Sequence, residues 1–361
     1  MNNIPKIRIP SNIKKIFILT GENVSKKKGV KLLIKSSFFG RKIKIYKKVI
    51  FLPDILELSK IVEEIKSYKP DLIVAIGGGG VIDYSKIANA TIHLKKIKDI
   101  FFLKKIKFKK YKKLFVIPTT AGSGAEVTPG AVLYKNKIKY NFTDRNLIPD
   151  KFFLFPELIL GTKRELKSSA LFDSFSQSIE SLISFKSNKI SQKNSISSIR
   201  LILNNYKTFL DNDNYEATRK MQIAANFSGK SISLTSTGAP HALSYYLSSN
   251  FGLYHGNSVI VYLPLVLEYN IKNIDTLDKI KKKQFSYRLK LLRKVFGVNS
   301  NLEIVQIIKL MIKYSKINIK LKKKFFDNKK QRKSIKMERL KNNPVPINYK
   351  QIILFNRNLF S

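Results

Sequence analysis

The spacing of apolar residues changes character once along the chain. Up to about residue 155, short apolar runs alternate with amphipathic stretches. Lys15 to Thr20, KIFILT, is a compact β-type run ending at Gly21. A run of this kind reads as a buried strand of a parallel sheet. Lys26 to Ser36 is a candidate crossing helix, and Ile43 to Phe51 a second strand. From Asp54 to Tyr68, Ile55, Leu58, Ile61, Val62 and Ile65 recur at helical spacing, and Pro70 ends the helix. Leu72 to Ile76 and Leu114 to Ile117 are further buried strands. Ala131 to Tyr134 and Ile138 to Phe142 read as a hairpin around Lys135-Asn136-Lys137. Past Phe155-Pro156 the period is helical, over 163–185, 190–210, 215–234, 240–250, 257–273, 276–295 and 301–316. Leu321 to Lys333 is a charge run expected to be solvated, and a last packable stretch from Asn342 to Phe360 suits a final helix. The pattern predicts an α/β domain with a parallel sheet over residues 1–155, an all-α domain over 156–361, and an active site in the cleft between them.

Two glycine-rich turns sit where such a sheet would present them. The strand Leu72 to Ile76 runs into Gly77, Gly78, Gly79 and Gly80, and a helix is expected to begin near Val81. Glycines admit a pyrophosphate close to the backbone, and the helix N-terminus favours its charge. The spacing is neither GxGxxG nor a P-loop, and a merely tight strand-to-helix connection is the alternative. After the strand Leu114 to Ile117, Pro118 is followed by Thr119, Thr120, Gly122, Ser123 and Gly124. These small hydroxyls and flexible backbone suit phosphate, ribose or nicotinamide.

The helical half holds two of the three histidines, His241 and His255, each in a polar, glycine-spotted segment. His241 follows a turn signal at the start of a helix. His255 lies between Gly252 and Gly256, in a second expected turn. Two imidazoles delivered in this way suit one divalent metal, while ordinary capping histidines are the alternative. A carboxylate on a nearby helix would complete the set. In KSSALFDSFSQSIESLIS, Asp173, Gln177 and Glu180 share one face beside an apolar stripe, where a carboxylate would be partly buried and in need of a partner.

Composition narrows the classes. With 361 residues there is room for two domains and a large core. Cysteine is absent, which excludes disulfides and thiolate metal sites. No apolar run reaches transmembrane length, and MNNIPKIRIPSNIKK lacks the apolar middle of a signal peptide, so the expectation is a cytoplasmic protein with no membrane partner. The net charge of +45 raises nucleic-acid binding as a class. The lysines are, however, spread through every segment with Ile, Asn and Phe, as a compositional bias would spread them. No zinc-finger, RNP or repeat pattern accompanies them, so no specific nucleic-acid partner is expected.

These motifs together resemble the iron-containing alcohol dehydrogenase family over nearly the whole chain, from KIFILTG to ERLKNNPVP. GGGGVIDYSK is similar to the family's GGGSxxDxxK, keeping Gly77, Gly78, Gly79, Asp83 and Lys86. Pro118 to Thr128 is similar to its PTTAGTGSEVT. The resemblance implies a fold like that of dehydroquinate synthase, with NAD(P)H in the first domain and one divalent metal in the second, Fe(II) first and Zn(II) as the alternative. It assigns cofactor contacts to Gly21, Gly77, Gly78, Gly79, Gly80, Asp83, Thr119, Thr120, Ser123 and Lys139. The implied metal set is Asp173, Gln177, His241 and His255, with Gln177 standing where the family has histidine. Gly21 stands where the family commonly carries a ribose-binding Asp, which opens the site to NADPH, while Glu22 keeps NADH open. Tyr245, one turn past His241, is the candidate proton relay, with core packing as its alternative. The implied reaction is reduction of an aldehyde to a primary alcohol. Gln177 with NFSGKSIS, PHALSYYLSSNFG and VLEYN resembles the phosphonoacetaldehyde reductase branch, whose product is 2-hydroxyethylphosphonate. The competing classes are a general alcohol dehydrogenase, a metal-dependent lyase similar to dehydroquinate synthase, and a non-catalytic relative. A small aldehyde or alcohol is the expected partner, and a homodimer the assembly considered.

Overall fold

The computed structural model describes residues 4–50, 52–101, 107–136, 138–317 and 326–359. The chain divides into two compact units, Met1–Gly161 and Thr162–Ser361.

In the first unit, strands β1 (Lys15–Gly21), β2 (Lys42–Lys48), β3 (Leu72–Gly77), β4 (Lys113–Pro118) and β7 (Lys151–Phe152) form a parallel sheet in the order β2-β1-β3-β4-β7. Helices α1 (Glu22–Lys26), α2 (Lys28–Ser37), α3 (Ile55–Tyr68) and α4 (Gly79–Thr91) lie along the connections, and β5 (Gly130–Lys135) pairs antiparallel with β6 (Ile138–Thr143). The period of two explains the two cores. Phe17, Leu19, Ile73, Ala75, Leu114 and Val116 pack with α3 and α4 on one face. Ile16, Ile18, Val74, Ile76, Phe115 and Ile117 pack with α2 on the other. β3 is buried along its whole length, as a central parallel strand must be. β2 ends at Lys48 rather than continuing to Phe51, which lies outside the described residues. Its exposed Ile43 and Ile45 alternate with lysines on the sheet edge. The expected helix Lys26 to Ser36 is α2, and the short helix α1 precedes it, separated by an extended Lys27.

The second unit is helical. Its elements are α5 (Arg164–Ile183), α6 (Lys189–Asp211), α7 (Tyr215–Thr235), α8 (Ala239–Phe251), α9 (His255–Ile260), α10 (Leu263–Lys272), α11 (Lys279–Phe296), α12 (Asn301–Tyr314), α13 (Asn328–Ser334), α14 (Met337–Lys341) and α15 (Tyr349–Asn358). The expected helix over 257–273 is two, because Pro264 in the first turn of α10 cannot supply the N–H that a continuous helix needs. His255 is the first residue of α9 rather than part of a turn. Of the expected charge run, Leu321 to Phe325 lies outside the described residues, and Asn328 onward folds as α13, capped by Asp327. Lys137 of the predicted hairpin turn also lies outside them.

α5 is the axis of this unit. The expectation of one half-buried polar face understates it, since nearly every residue from Lys167 to Ile183 is buried. Its serines make that burial affordable to a polar helix. Ser178 donates to Ser198 of α6 at 2.8 Å, and Thr235 of α7 donates to Ser181 at 2.8 Å. Ser195 of α6 and Ser231 of α7 lie 3.0 Å apart. Small side chains let the helices approach, and each satisfied hydroxyl avoids a desolvation penalty of about 1–3 kcal/mol. Among the described residues no single helix is long and apolar enough to cross a membrane.

Candidate functional site

Three side chains of the second unit converge. Asp173 projects from the middle of α5, His241 from the first turn of α8, and His255 from the start of α9. One ligand atom from each lies within 4.8 Å of the others. Both imidazoles present Nε2 to the same carboxylate oxygen, His241 at 3.3 Å and His255 at 4.0 Å from Asp173 Oδ1. Asp173 and His241 are buried, and His255 is about one-third exposed, so the trio opens on one side.

The surrounding residues fix each member. Glu180 Oε1 lies 2.6 Å from His241 Nδ1, and its Oε2 accepts from the N–H of Gly238, at the start of α8. Donating Nδ1–H to this carboxylate selects the tautomer that would give Nε2 a lone pair for a metal. Burial works against a charged His241, but the Glu180 and Asp173 carboxylates outweigh it and hold the imidazole above its ordinary pKa. Gly256 decides where His255 lies. A Cβ there would sit 1.8 Å from the Ser169 carbonyl oxygen of α5, so only glycine allows the two backbones to meet. Its N–H also donates to Ser169 Oγ at 3.0 Å. Gln177, one turn past Asp173, donates from Nε2 to Asp173 Oδ1 at 2.9 Å and accepts from Ser228 of α7.

Tyr245 stacks on His255, with ring centroids 6.2 Å apart and planes 19° from parallel. The Arg339 guanidinium of α14 lies 5.8 Å from the Tyr245 ring centroid and donates to Thr237. Burial pushes the Tyr245 phenol up to about 12, with Glu180 and Asp173 adding to the shift and Arg339 opposing it. The phenol therefore holds its proton at neutral pH.

The donor set suits a divalent ion. Two imidazole nitrogens and one carboxylate oxygen, with a carboxylate behind one imidazole, match the ligand chemistry of Zn(II) and Fe(II). The third histidine, His93, is exposed and belongs to the first unit.

The glycine motifs meet in the first unit, at the C-terminal edge of the parallel sheet. Gly77 ends β3, Gly78 is the N-cap of α4, and Gly79 and Gly80 form its first turn, with no side chain capping it. The loop after β4 closes on this turn. A Cβ on Gly79 would stand 2.9 Å from Ser123 Oγ, and one on Gly78 3.3 Å from Thr120 Cγ2. Gly21 ends β1 beside Val81 of α4. Thr119 continues from β4, and its N–H donates to Gly77 O. An uncapped N-terminus on a 13-residue helix, walled by bare glycine and small hydroxyls, fits a pyrophosphate.

The charged residues of the glycine motif face inward. Val132 N–H of β5 donates to Asp83 Oδ2 at 3.1 Å. Lys86 is buried and donates to Thr128 O, Thr128 Oγ1 and Gly130 O, at 2.9, 3.1 and 2.9 Å. They tie α4 to the hydroxyl-rich loop and the hairpin. Lys139 lies in β6 opposite Tyr134, with its side chain buried. Nothing in the sequence assigned roles to Glu180, Ser228, Gly256, Lys86 and Arg339, although Glu180 shares the helical face of Asp173 and Lys86 is part of the glycine motif.

The family models decide the relationship. Residues 2–156 match "Iron-containing alcohol dehydrogenase", and residues 169–354 match "Fe-containing alcohol dehydrogenase family, C-terminal". The chain belongs to the iron-containing alcohol dehydrogenase family. It is 27% identical over 231 residues to the aldehyde-alcohol dehydrogenase of Streptococcus pneumoniae, covering 60% of this chain and 26% of that protein. To the phosphonoacetaldehyde reductase of Streptomyces viridochromogenes it is 30% identical over 223 residues, covering 59% of this chain and 56% of that one. The chain thus spans about a quarter of the first relative's length and just over half of the second's. Among solved structures, an iron-containing alcohol dehydrogenase of Thermotoga maritima superposes with a TM-score of 0.79 at 26% identity, covering 96% of this chain and 91% of that one. A sulfoacetaldehyde reductase from Bifidobacterium kashiwanohense in complex with NAD+ gives 0.85 at 22%, covering 97% and 92%, and shares the fold.

Proposed function

We propose that this member of the iron-containing alcohol dehydrogenase family is a metal-dependent NAD(P)H oxidoreductase that reduces an aldehyde to a primary alcohol. The observation that carries this reading is the convergence of Asp173, His241 and His255 within 4.8 Å. Those three residues would hold the metal, and the turn Gly77 to Gly80 with Thr119, Thr120 and Ser123 would hold the dinucleotide. When bound, the ion supplies Lewis acidity to a carbonyl oxygen and the dinucleotide supplies hydride to its carbon. The chain's own residues do the rest. Glu180 keeps His241 in its ligating tautomer, and Asp173 provides the negative charge. Tyr245, protonated to about pH 12, is suited to donate a proton or hydrogen bond and not to remove one.

Phosphonoacetaldehyde is the substrate we favour, with 2-hydroxyethylphosphonate as product. The similarity to the Streptomyces reductase supports it, as does a cation at the site, since Arg339 lies over the Tyr245 ring that stacks on His255. A phosphonate tail needs such a group. A general alcohol dehydrogenase is the second reading, favoured by the similarity to the Streptococcus enzyme. On the dinucleotide, Gly21 carries no carboxylate, and the neighbouring Glu22 is paired with Lys26 at 2.9 Å. Both features favour NADPH.

The test is an absorbance assay at the reduced-nicotinamide band, with anaerobically Fe(II)-loaded protein and parallel NADPH and NADH arms. Preferential oxidation with phosphonoacetaldehyde is the expected result. Equal rates with simple aldehydes would select the general dehydrogenase, and no oxidation despite bound metal would sink the oxidoreductase reading.

A further inference from the structure

The amide of Gln177 is held at both ends. Nε2 donates to Asp173 Oδ1 at 2.9 Å, and Ser228 Oγ donates to Oε1. Gln177 and Ser228 are buried, 5% and 0% exposed, and they sit on different helices, α5 and α7. The direction of the amide follows from its partners. An ionised carboxylate only accepts, so the group that faces Asp173 must be the NH2 end. Turning the amide over would press two oxygens together in a buried site. Oε1, the one atom of this side chain with a lone pair for a metal, is therefore the end bonded to Ser228.

We propose that Gln177 is a positioning residue and not a ligand. It braces the Asp173 carboxylate from one side, Ser228 fixes the amide's direction, and among the described residues Asp173, His241 and His255 alone ligate the metal. The proposal rests on the metal reading above. It turns on the residue type at position 177, because an imidazole there could reach the metal while this amide turns its donor to Asp173 and its oxygen to Ser228. A site with three protein ligands keeps coordination positions for water or substrate, as metal sites that do chemistry do. A hydrogen bond to a ligating group orients it, and losing such a bond weakens metal affinity about 10- to 100-fold.

Cobalt(II) tests this without substrate, because its visible d–d bands report its ligand set. Metal-free full-length protein, Q177L and S228A are titrated with Co2+, with far-UV circular dichroism as the check on folding. Q177L at saturation is expected to show the band positions and intensities of the unmodified protein, with a dissociation constant raised about 10- to 100-fold. S228A is expected to keep the bands and to bind more weakly, since its amide is free to turn. A changed band envelope in Q177L would overturn the proposal. Tighter or unchanged binding by S228A would overturn it too, because a ligating Oε1 gains nothing from Ser228. If Q177L does not fold, S228A decides alone. Failure of the unmodified protein to bind Co2+ would remove the metal reading and the proposal with it, an outcome distinct from a shifted spectrum.

Discussion

At the scale of single residues, Glu180 shows how much of the candidate metal site lies behind the side chains that would ligate. It bonds His241 Nδ1 and the Gly238 N–H with its two oxygens, so one carboxylate sets both the tautomer of the imidazole and the start of the helix that carries it. Glu180→Gln keeps the shape but replaces one of two charged acceptors with an NH2. Metal affinity, measured by chelator competition, is expected to fall about tenfold or more. An unchanged affinity would mean that His241 is oriented by packing alone. The sequence showed that Asp173, Gln177 and Glu180 share a helical face, because that follows from 3.6 residues per turn. Helical spacing could not show which of the three meets the histidines, and the family resemblance implied Asp173 and Gln177. That depends on the height at which α8 and α9 cross α5, and distant residues such as Ser228 and Gly238 set it.

At the scale of elements, the approach of α9 to α5 is the step that builds the trio. Gly256 permits it by having no Cβ to strike the Ser169 carbonyl. Gly256→Ala is expected to push α9 off α5, carry His255 away from Asp173, and destabilise the unit by about 1–3 kcal/mol or more, as overpacking of a close contact does. A lowered melting temperature of the metal-free protein, together with lost Co2+ binding, would bear this out. Retained Co2+ bands would show that α9 accommodates the methyl group. Helix boundaries were legible in the sequence to within a few residues wherever the apolar period was long, as in α3, α6 and α7. The period failed at α9–α10, where a proline breaks a continuous apolar pattern without changing its spacing. It also underestimated α5. Hydropathy counts serine as a solvent-facing residue, whereas here the serines pair with hydroxyls from α6 and α7 in the interior.

At the scale of the whole molecule, the net charge of +45 makes proton binding a matter of stability. Self-repulsion favours the unfolded chain, so added salt and rising pH both work toward the native state. Lys86 adds a specific part. Burial lowers its pKa to about 8, partly offset by Asp83 and Glu126, against 10.5 as the ordinary value. Between those limits the unfolded chain binds more protons than the native one, so stability rises with pH across that window, by up to about 3 kcal/mol from this group. Melting curves from pH 7.5 to 10 should show that rise, and K86M should lose part of it. An identical pH slope in K86M would show that the Lys86 ammonium is fully stabilised by the three oxygens it meets. Local periodicity and short spacings in the sequence were enough for the two-part architecture, the parallel sheet, the glycine turn at the end of β3 and the residue types of the candidate metal site. The tertiary structure decided which side chains share a site. Asp173, His241 and His255 are separated by up to 82 positions, and only the packing of α8 and α9 on α5 brings them within 4.8 Å. It also decided that Asp83 and Lys86 are turned inward and that Gln177 points its donor at Asp173, since the direction of a polar side chain is set by the partners that folding brings to it.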